Sequence, residues 1–236
     1  MKLPTISQPL FELTMPSSQK KYMFRPYLVS EEKILLLAKQ SDDEKEIISA
    51  VKQVINNCIQ DESYDQSQLT TFDMEYLFLK LRAKSVNNIV ELSYKDNEDE
   101  ISREFSVDLN DIEVEFNKEN EPKIKITDEL SMIMKYPLAS ITDKIDKFDS
   151  DIDLLLFFIS NCIENIYDKD EVYLLEDYSK EEQDVFINSL PVKTLEDIKK
   201  YFDTLPRLYH KLEYTNNNGK ERKIELSNLR DFFILD

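Results

Sequence analysis

Few residues in this chain are equipped for chemistry. His210, Cys58 and Cys162 are its whole supply of imidazole and thiol in 236 residues. A Cys–His pair needs an accessible thiol of lowered pKa. Both cysteines instead fall on apolar helical stripes, where burial raises a thiol pKa, and they show no CxxC spacing. They read as small, reduced core residues. Asp168-Lys169-Asp170-Glu171 opens like a calcium loop, but Val172 and Tyr173 stand where an oxygen ligand and the turn glycine belong. A polar helix exit is the expectation there. Asp96 to Glu100 is rich in acid yet offers no alternating ligand frame, and it reads as a solvated hairpin tip. A carboxylate pair for glycoside hydrolysis has 48 acids to draw on, and nothing singles one out. With one glycine, the chain has no material for a phosphate-cradling loop. The expected catalytic, cofactor and metal-binding residues are therefore none.

Charge narrows the partners. A formal net charge of −18 repels phosphate, which argues against nucleic acid and against an anionic membrane surface. The longest apolar run, Leu154 to Ile159, falls far short of the ~20 residues that span a bilayer. The cysteine usage and the absence of a secretory leader fit a soluble cytosolic protein.

The elements that would position any site read as an α+β order. Residues 9 to 15 and 20 to 27 form an N-terminal hairpin around Pro16-Ser17-Ser18, with the restricted pair Arg25-Pro26 near its end. Ser30 is expected to cap a buried helix through Ile34 to Ala38. Ser41 and Glu44 form a capping-box pattern before the stripe Ile47, Ile48, Val51, Val54, Ile55, Cys58. Thr70 or Thr71 caps a third helix carrying Phe72, Tyr76, Leu77, Phe78, Leu79 and Leu81, with Lys80, Arg82 and Lys84 suited to its negative pole.

From 88 to 136 the period changes to two, giving strands at Ile89 to Tyr94, Ile101 to Val107, Ile112 to Phe116 and Ile124 to Ile126 in an antiparallel meander or sandwich. A helix from Ser150 or Asp151 through Ile166 is expected to be the central core helix. Helices at 179 to 190 and 194 to 204 follow, the second opened by Thr194 and stopped by Pro206. Leu208 to Thr215 and Arg222 to Leu226 then flank the hairpin turn Asn216 to Gly219. Leu229, Phe232, Phe233 and Ile234 read as a docking segment. The chain order thus divides as an N-terminal hairpin plus three-helix lobe at 1–87, an antiparallel β region at 88–137, and a C-terminal helical lobe with a hairpin at 138–236, within one compact unit.

Lys21-Tyr22-Met23-Phe24-Arg25-Pro26-Tyr27, then Glu31-Glu32-Lys33 and Leu35-Leu36-Leu37-Ala38, resemble the opening of the baseplate hub proteins of T-even-like contractile-tailed bacteriophages. Val54 to Cys58, the run Phe72 to Ser85, Met134 to Pro137, Leu205-Pro206 and Asp231 to Phe233 are similar to landmarks of the same family. The resemblance implies a non-enzymatic part in assembly of the central hub, as subunit or chaperone. It implies other hub proteins as partners, and as locations the host cytoplasm during assembly and the tail baseplate of the virion. Some relatives carry a Cys-x-x-Cys-Gly knuckle at the terminal hairpin; Asn216 to Gly219 replaces it here, so no zinc is expected. A symmetric hub also invites a homo-oligomer.

Phe24, Arg25 and Tyr27 are the candidate partner-binding residues of the first hairpin, since aromatic and arginine anchors are enriched at binding hot spots. The competing reading makes Phe24 core and pairs Arg25 with Glu31 or Glu32. Tyr76 and Phe78 diverge from the stripe of Phe72 and Leu79, so this helix is either all core or keeps one face for a partner. A reading from another class is an acidic DNA mimic that inhibits a host nucleic-acid-binding protein, with carboxylates spaced along one face.

Overall fold

Capping residues and apolar periodicity place most elements where the sequence puts them in the computed structural model, which describes residues 6–41, 43–148 and 150–232. The elements, in order, are β1 (Phe11–Thr14), β2 (Lys21–Phe24), α1 (Val29–Ser41), α2 (Glu44–Cys58), α3 (Thr71–Ser85), β3 (Ile89–Lys95), β4 (Ser102–Asp108) and β5 (Glu113–Glu115). There follow β6 (Lys123–Lys125), β7 (Leu130–Met134), α4 (Asp151–Cys162), β8 (Ile163–Asp168), β9 (Glu171–Leu174), α5 (Lys180–Asn188) and α6 (Val192–Asp203). The chain closes with β10 (Arg207–Thr215), β11 (Glu221–Leu226) and α7 (Leu229–Phe232). The fold class is α+β, with all strand pairs antiparallel.

Two compact units divide the chain. Met1–Glu115 with Arg207–Asp236 make the first, and Phe116–Pro206 make the second. The second is an insertion within a sheet of the first, whose order is β11-β10-β5: the chain leaves at Glu115 and returns at Arg207, the residue paired with it.

In the first unit, α3 carries the core. Thr70 caps it by accepting the Asp73 N–H, and nine of its residues from Phe72 to Leu81 are buried. Tyr76 and Leu79 face a strand core of Val90, Leu92, Val107, Leu109, Ile112, Leu208 and Leu226. Leu229 packs at its margin. In the second unit, the sheet β6-β7-β8-β9 packs Ile124, Met132, Met134, Ile163 and Ile166 against Ile159, Cys162, Ile187, Ile198 and Tyr201.

Several local expectations need correction. Ser30 lies inside the first turn of α1; Leu28 precedes the helix, and its N–H is taken by Glu31. The cap of α2 is Asp43, which accepts the Lys45 N–H, while Ser41 turns back to the Ala38 carbonyl. Thr194 is buried inside α6, which Pro191 opens. α4 ends at Cys162 and passes directly into β8, where Ile163 and Ile166 pair with Met134 and Met132 of β7. Asp168 to Glu171 is consequently the β8–β9 turn, with Lys169 at φ 52°, and not a helix exit. Within α4 only Ile159 and Cys162 are fully buried, so it flanks the core of its unit instead of forming its centre. α1, expected to be buried, sinks only Glu31 and Ala38. The expected docking residues Phe233 and Ile234 lie outside the described residues.

Candidate interaction surface

The first unit is stapled to both ends of α3. In the β1–β2 turn, the Ser17 N–H donates to Asp73 Oδ1 at 3.0 Å and its hydroxyl to Asp73 Oδ2. At the other end of the helix, the Tyr27 N–H donates to Ser85 Oγ at 2.9 Å. Between these anchors β2 continues across to α2: Phe24 bridges Ile59, and the Arg25 N–H donates to the Cys58 carbonyl at 3.0 Å.

Arg25 closes this corner. Its guanidinium donates to both Glu31 carboxylate oxygens, at 3.1 and 3.4 Å. It also donates to the Pro26 and Asn57 carbonyls, at 3.0 and 3.1 Å. The last bond supplies a cation to the negative pole of α2. Hydrogen bonding to Glu31 raises the Arg25 pKa. Burial works against the Glu31 carboxylate, but the bonds from Arg25 and the Leu28 N–H outweigh it and hold its pKa down. Arg25 thus fixes the pitch at which α1 leaves the hairpin.

The five candidate partner residues are placed as follows. Phe24, Tyr27, Tyr76 and Phe78 are each at most 7% exposed, and the Arg25 side chain is 18% exposed. Phe24 stacks on Phe11 with centroids 5.8 Å apart. Tyr76 donates to Glu113 Oε2 at 3.0 Å. Phe24, Arg25 and Tyr27 share one corner, whereas Tyr76 turns toward the strand core, so the five do not form one surface.

Side chains that sequence reasoning passed over do more to shape this unit. Lys80 is buried, with Nζ donating to the carbonyls of Leu109, Asn110 and Ile112 at 3.3, 2.7 and 2.7 Å and to Glu113 Oε1 at 3.1 Å. Burial pushes its pKa down, while Glu113 opposes that shift. The acidic tip of the β3–β4 hairpin exposes Asn97, Glu98 and Glu100, as expected of a solvated loop, but it buries Asp96 and is bonded to the terminal hairpin. Asp96 accepts the Glu98 N–H at 2.8 Å and the Tyr214 hydroxyl at 2.7 Å. Asp99 accepts a two-pronged bond from Arg103 and the Asn217 N–H. Glu98 meets Lys220 and Arg222. These bonds hold all three carboxyl pKa values down: the Glu98 N–H leads at Asp96, Lys220 at Glu98 and Arg103 at Asp99. The tip is therefore locked to the β10–β11 turn, where Gly219 takes φ +78°.

Burial pushes the Cys58 and Cys162 thiols up to about 12, which leaves them inert as nucleophiles. Glu75 is the one carboxyl of raised pKa among the described residues, about 7 through burial and then Asp231, and it lines neither open cleft of the second unit. No described helix is long and apolar enough to cross a membrane.

What the first unit does display is one face of α1. Positions 29, 33, 36, 37 and 40 recur at helical spacing and are all exposed, whereas 31 and 38 are buried beneath them. Val29, Leu36 and Leu37 put apolar side chains on that outer stripe around Lys33. Leu28 and Val86, next to the Tyr27–Ser85 bond, are exposed as well.

No curated protein and no solved structure gave a match to the chain. The model of one family, described as the T4 bacteriophage base plate protein, matches residues 8–234. An α+β chain matched over nearly its whole length by that model belongs to the T4 bacteriophage base plate protein family.

Proposed function

We propose that this chain acts without catalysis in building the central hub of the baseplate, as a hub subunit or as an assembly chaperone that binds other hub proteins. Membership of a baseplate family supports the general setting, in which other phage baseplate proteins are the partners. The hub assignment draws on the resemblance carried by Lys21 to Tyr27 and Phe72 to Ser85. The observation that carries a binding role is the exposed apolar stripe of α1 on an otherwise strongly acidic chain, a surface whose burial against another protein is favourable. The net charge of −18 suits a component that stays soluble in the host cytoplasm until its partner arrives. Arg25, Phe24 and Tyr27 serve this role by holding α1 at its angle.

Capture of the tagged chain from infected cells, with quantitation of co-purifying baseplate proteins, tests the reading. Hub proteins enriched above the other proteins of the tail are expected. The same chain sought in mature tails separates the two forms of the proposal: presence makes it a subunit and absence a chaperone. No baseplate protein above background would end the reading.

A further inference from the structure

We infer that the outer face of α1 is the seat of a helix from a different baseplate protein, a helix with an apolar stripe and a carboxylate opposite Lys33. The inference rests on the reading of this chain as a binder of baseplate proteins and adds the surface and the partner's chemistry.

The face is built, not incidental. Val29 is 86% exposed, Leu36 51% and Leu37 56%, on a helix of 13 residues whose opposite side is fixed by the buried Glu31–Arg25 pair. Isolated exposed valines occur elsewhere, as at Val185 of α5 and Val192 of α6, and a lone apolar side chain at a surface is ordinary. On α1 the apolar side chains recur at seven- and eight-residue spacing, the repeat with which one helix seats in the grooves of another. The helix offers about 20 Å of such ridge, at a rise of roughly 1.5 Å per residue.

Charge selects the occupant. Lys33 stands in the middle of the stripe and makes no ion pair among the described residues. An ammonium flanked on its helix face by Val29, Leu36 and Leu37 gains most from a carboxylate brought in with the partner, because apolar contact on either side excludes water from the pair. A second copy of this chain is a poor occupant. Two-fold pairing of α1 with itself sets Lys33 near its own mate, and it brings together two chains of −18 each.

The test uses the full-length chain titrated against the purified hub proteins of the same phage, one at a time. Three variants are compared: Leu36→Glu with Leu37→Glu, Lys33→Glu, and Val185→Glu as a control on the second unit. Circular dichroism verifies folding, and the single Lys33 change stands in if the double variant fails to fold. The expected result is a loss of affinity of roughly tenfold or more for the double variant. Lys33→Glu should weaken binding, a compensating acid-to-lysine change in the partner helix should restore it, and the control should bind as the parent does. Wild-type-like binding by both α1 variants overturns the inference and leaves the functional reading standing. A parent chain that binds none of the hub proteins overturns both. Self-association of the parent that Leu36→Glu and Leu37→Glu abolish assigns the face to a second copy and likewise overturns it.

Discussion

Replacing Lys80 with methionine removes an ammonium from the first unit while keeping its stem. Four acceptors lose the ammonium: the carbonyls of Leu109, Asn110 and Ile112 and Glu113 Oε1, whose sister oxygen keeps the Tyr76 hydroxyl. They do not lose equally. Glu113 is 65% exposed and Asn110 lies at the surface, so both regain water. Leu109 and Ile112 are buried completely, and each stranded carbonyl costs about 1–3 kcal/mol. The variant recovers part of this because it no longer desolvates a cation, the leading cause of the lowered Lys80 pKa. A net loss of roughly 2–4 kcal/mol follows, a large share of the ~5–15 kcal/mol that holds a typical domain together. Guanidinium denaturation followed by circular dichroism reads it as a lower midpoint at unchanged slope. Hydrogen exchange should quicken at 109–115 before it does so in α3. A variant within about 0.5 kcal/mol of the parent would refute the reasoning, since it would mean that these carbonyls never depended on the ammonium.

Three further outcomes follow from the titrating groups. The Glu75 pKa, raised from 4.5 to about 7 by burial and then Asp231, makes its contribution fully present below 4.5 and lost as pH rises through about 7. Glu75→Gln should therefore flatten the fall in stability between pH ~5 and ~8 and add roughly 3 kcal/mol above that window, read by denaturation across pH; an unchanged slope contradicts this. At the hairpin tips, Asp96, Glu98 and Asp99 have depressed values, so their support is present above about pH 4 and lost as pH falls through those values. Arg103→Ala should move acid unfolding to a higher pH, and an unmoved acid midpoint would separate the lock from stability. Burial raises the phenols of Tyr27, Tyr64 and Tyr201 above their usual 10, so their contribution holds below pH 10 and is lost above it. Spectrophotometric titration should show these phenols ionising together with unfolding, and free titration near pH 10 in the folded state would count against their burial.

What the sequence discloses here depends on how far apart the cooperating residues lie. Thr70 and the wide apolar arc of α3 are local signals, and both hold. The Asn218-Gly219 turn is equally local, and the terminal hairpin forms around it. Ile163 and Ile166 are three apart, which suits a helix; the β-branching of Ile163 tips them to a strand once β7 is beside them. Lys80 reads as a dipole partner because the carbonyls it holds belong to a loop about 30 residues away. Asp96 reads as solvated because the Tyr214 hydroxyl lies 118 residues further on. The buried corner of Phe24, Arg25 and Tyr27 carries the residue types of a binding hot spot, and single-sequence reasoning has no way to see Glu31 and Asn57 closing over it. The run Ile34 to Ala38 gives no direction on its own, so its apolarity foretells burial where the fold leaves an open face.

Presentation of α1 to another baseplate protein is the proposed working of this molecule. Hydrogen–deuterium exchange on the full chain, alone and mixed with each purified hub protein, addresses it most directly. One hub protein should slow exchange across Val29–Ser41 and leave the β6–β9 sheet of the second unit unchanged. Complex formation with protection elsewhere and none on α1, or no complex with any hub protein, would contradict the account.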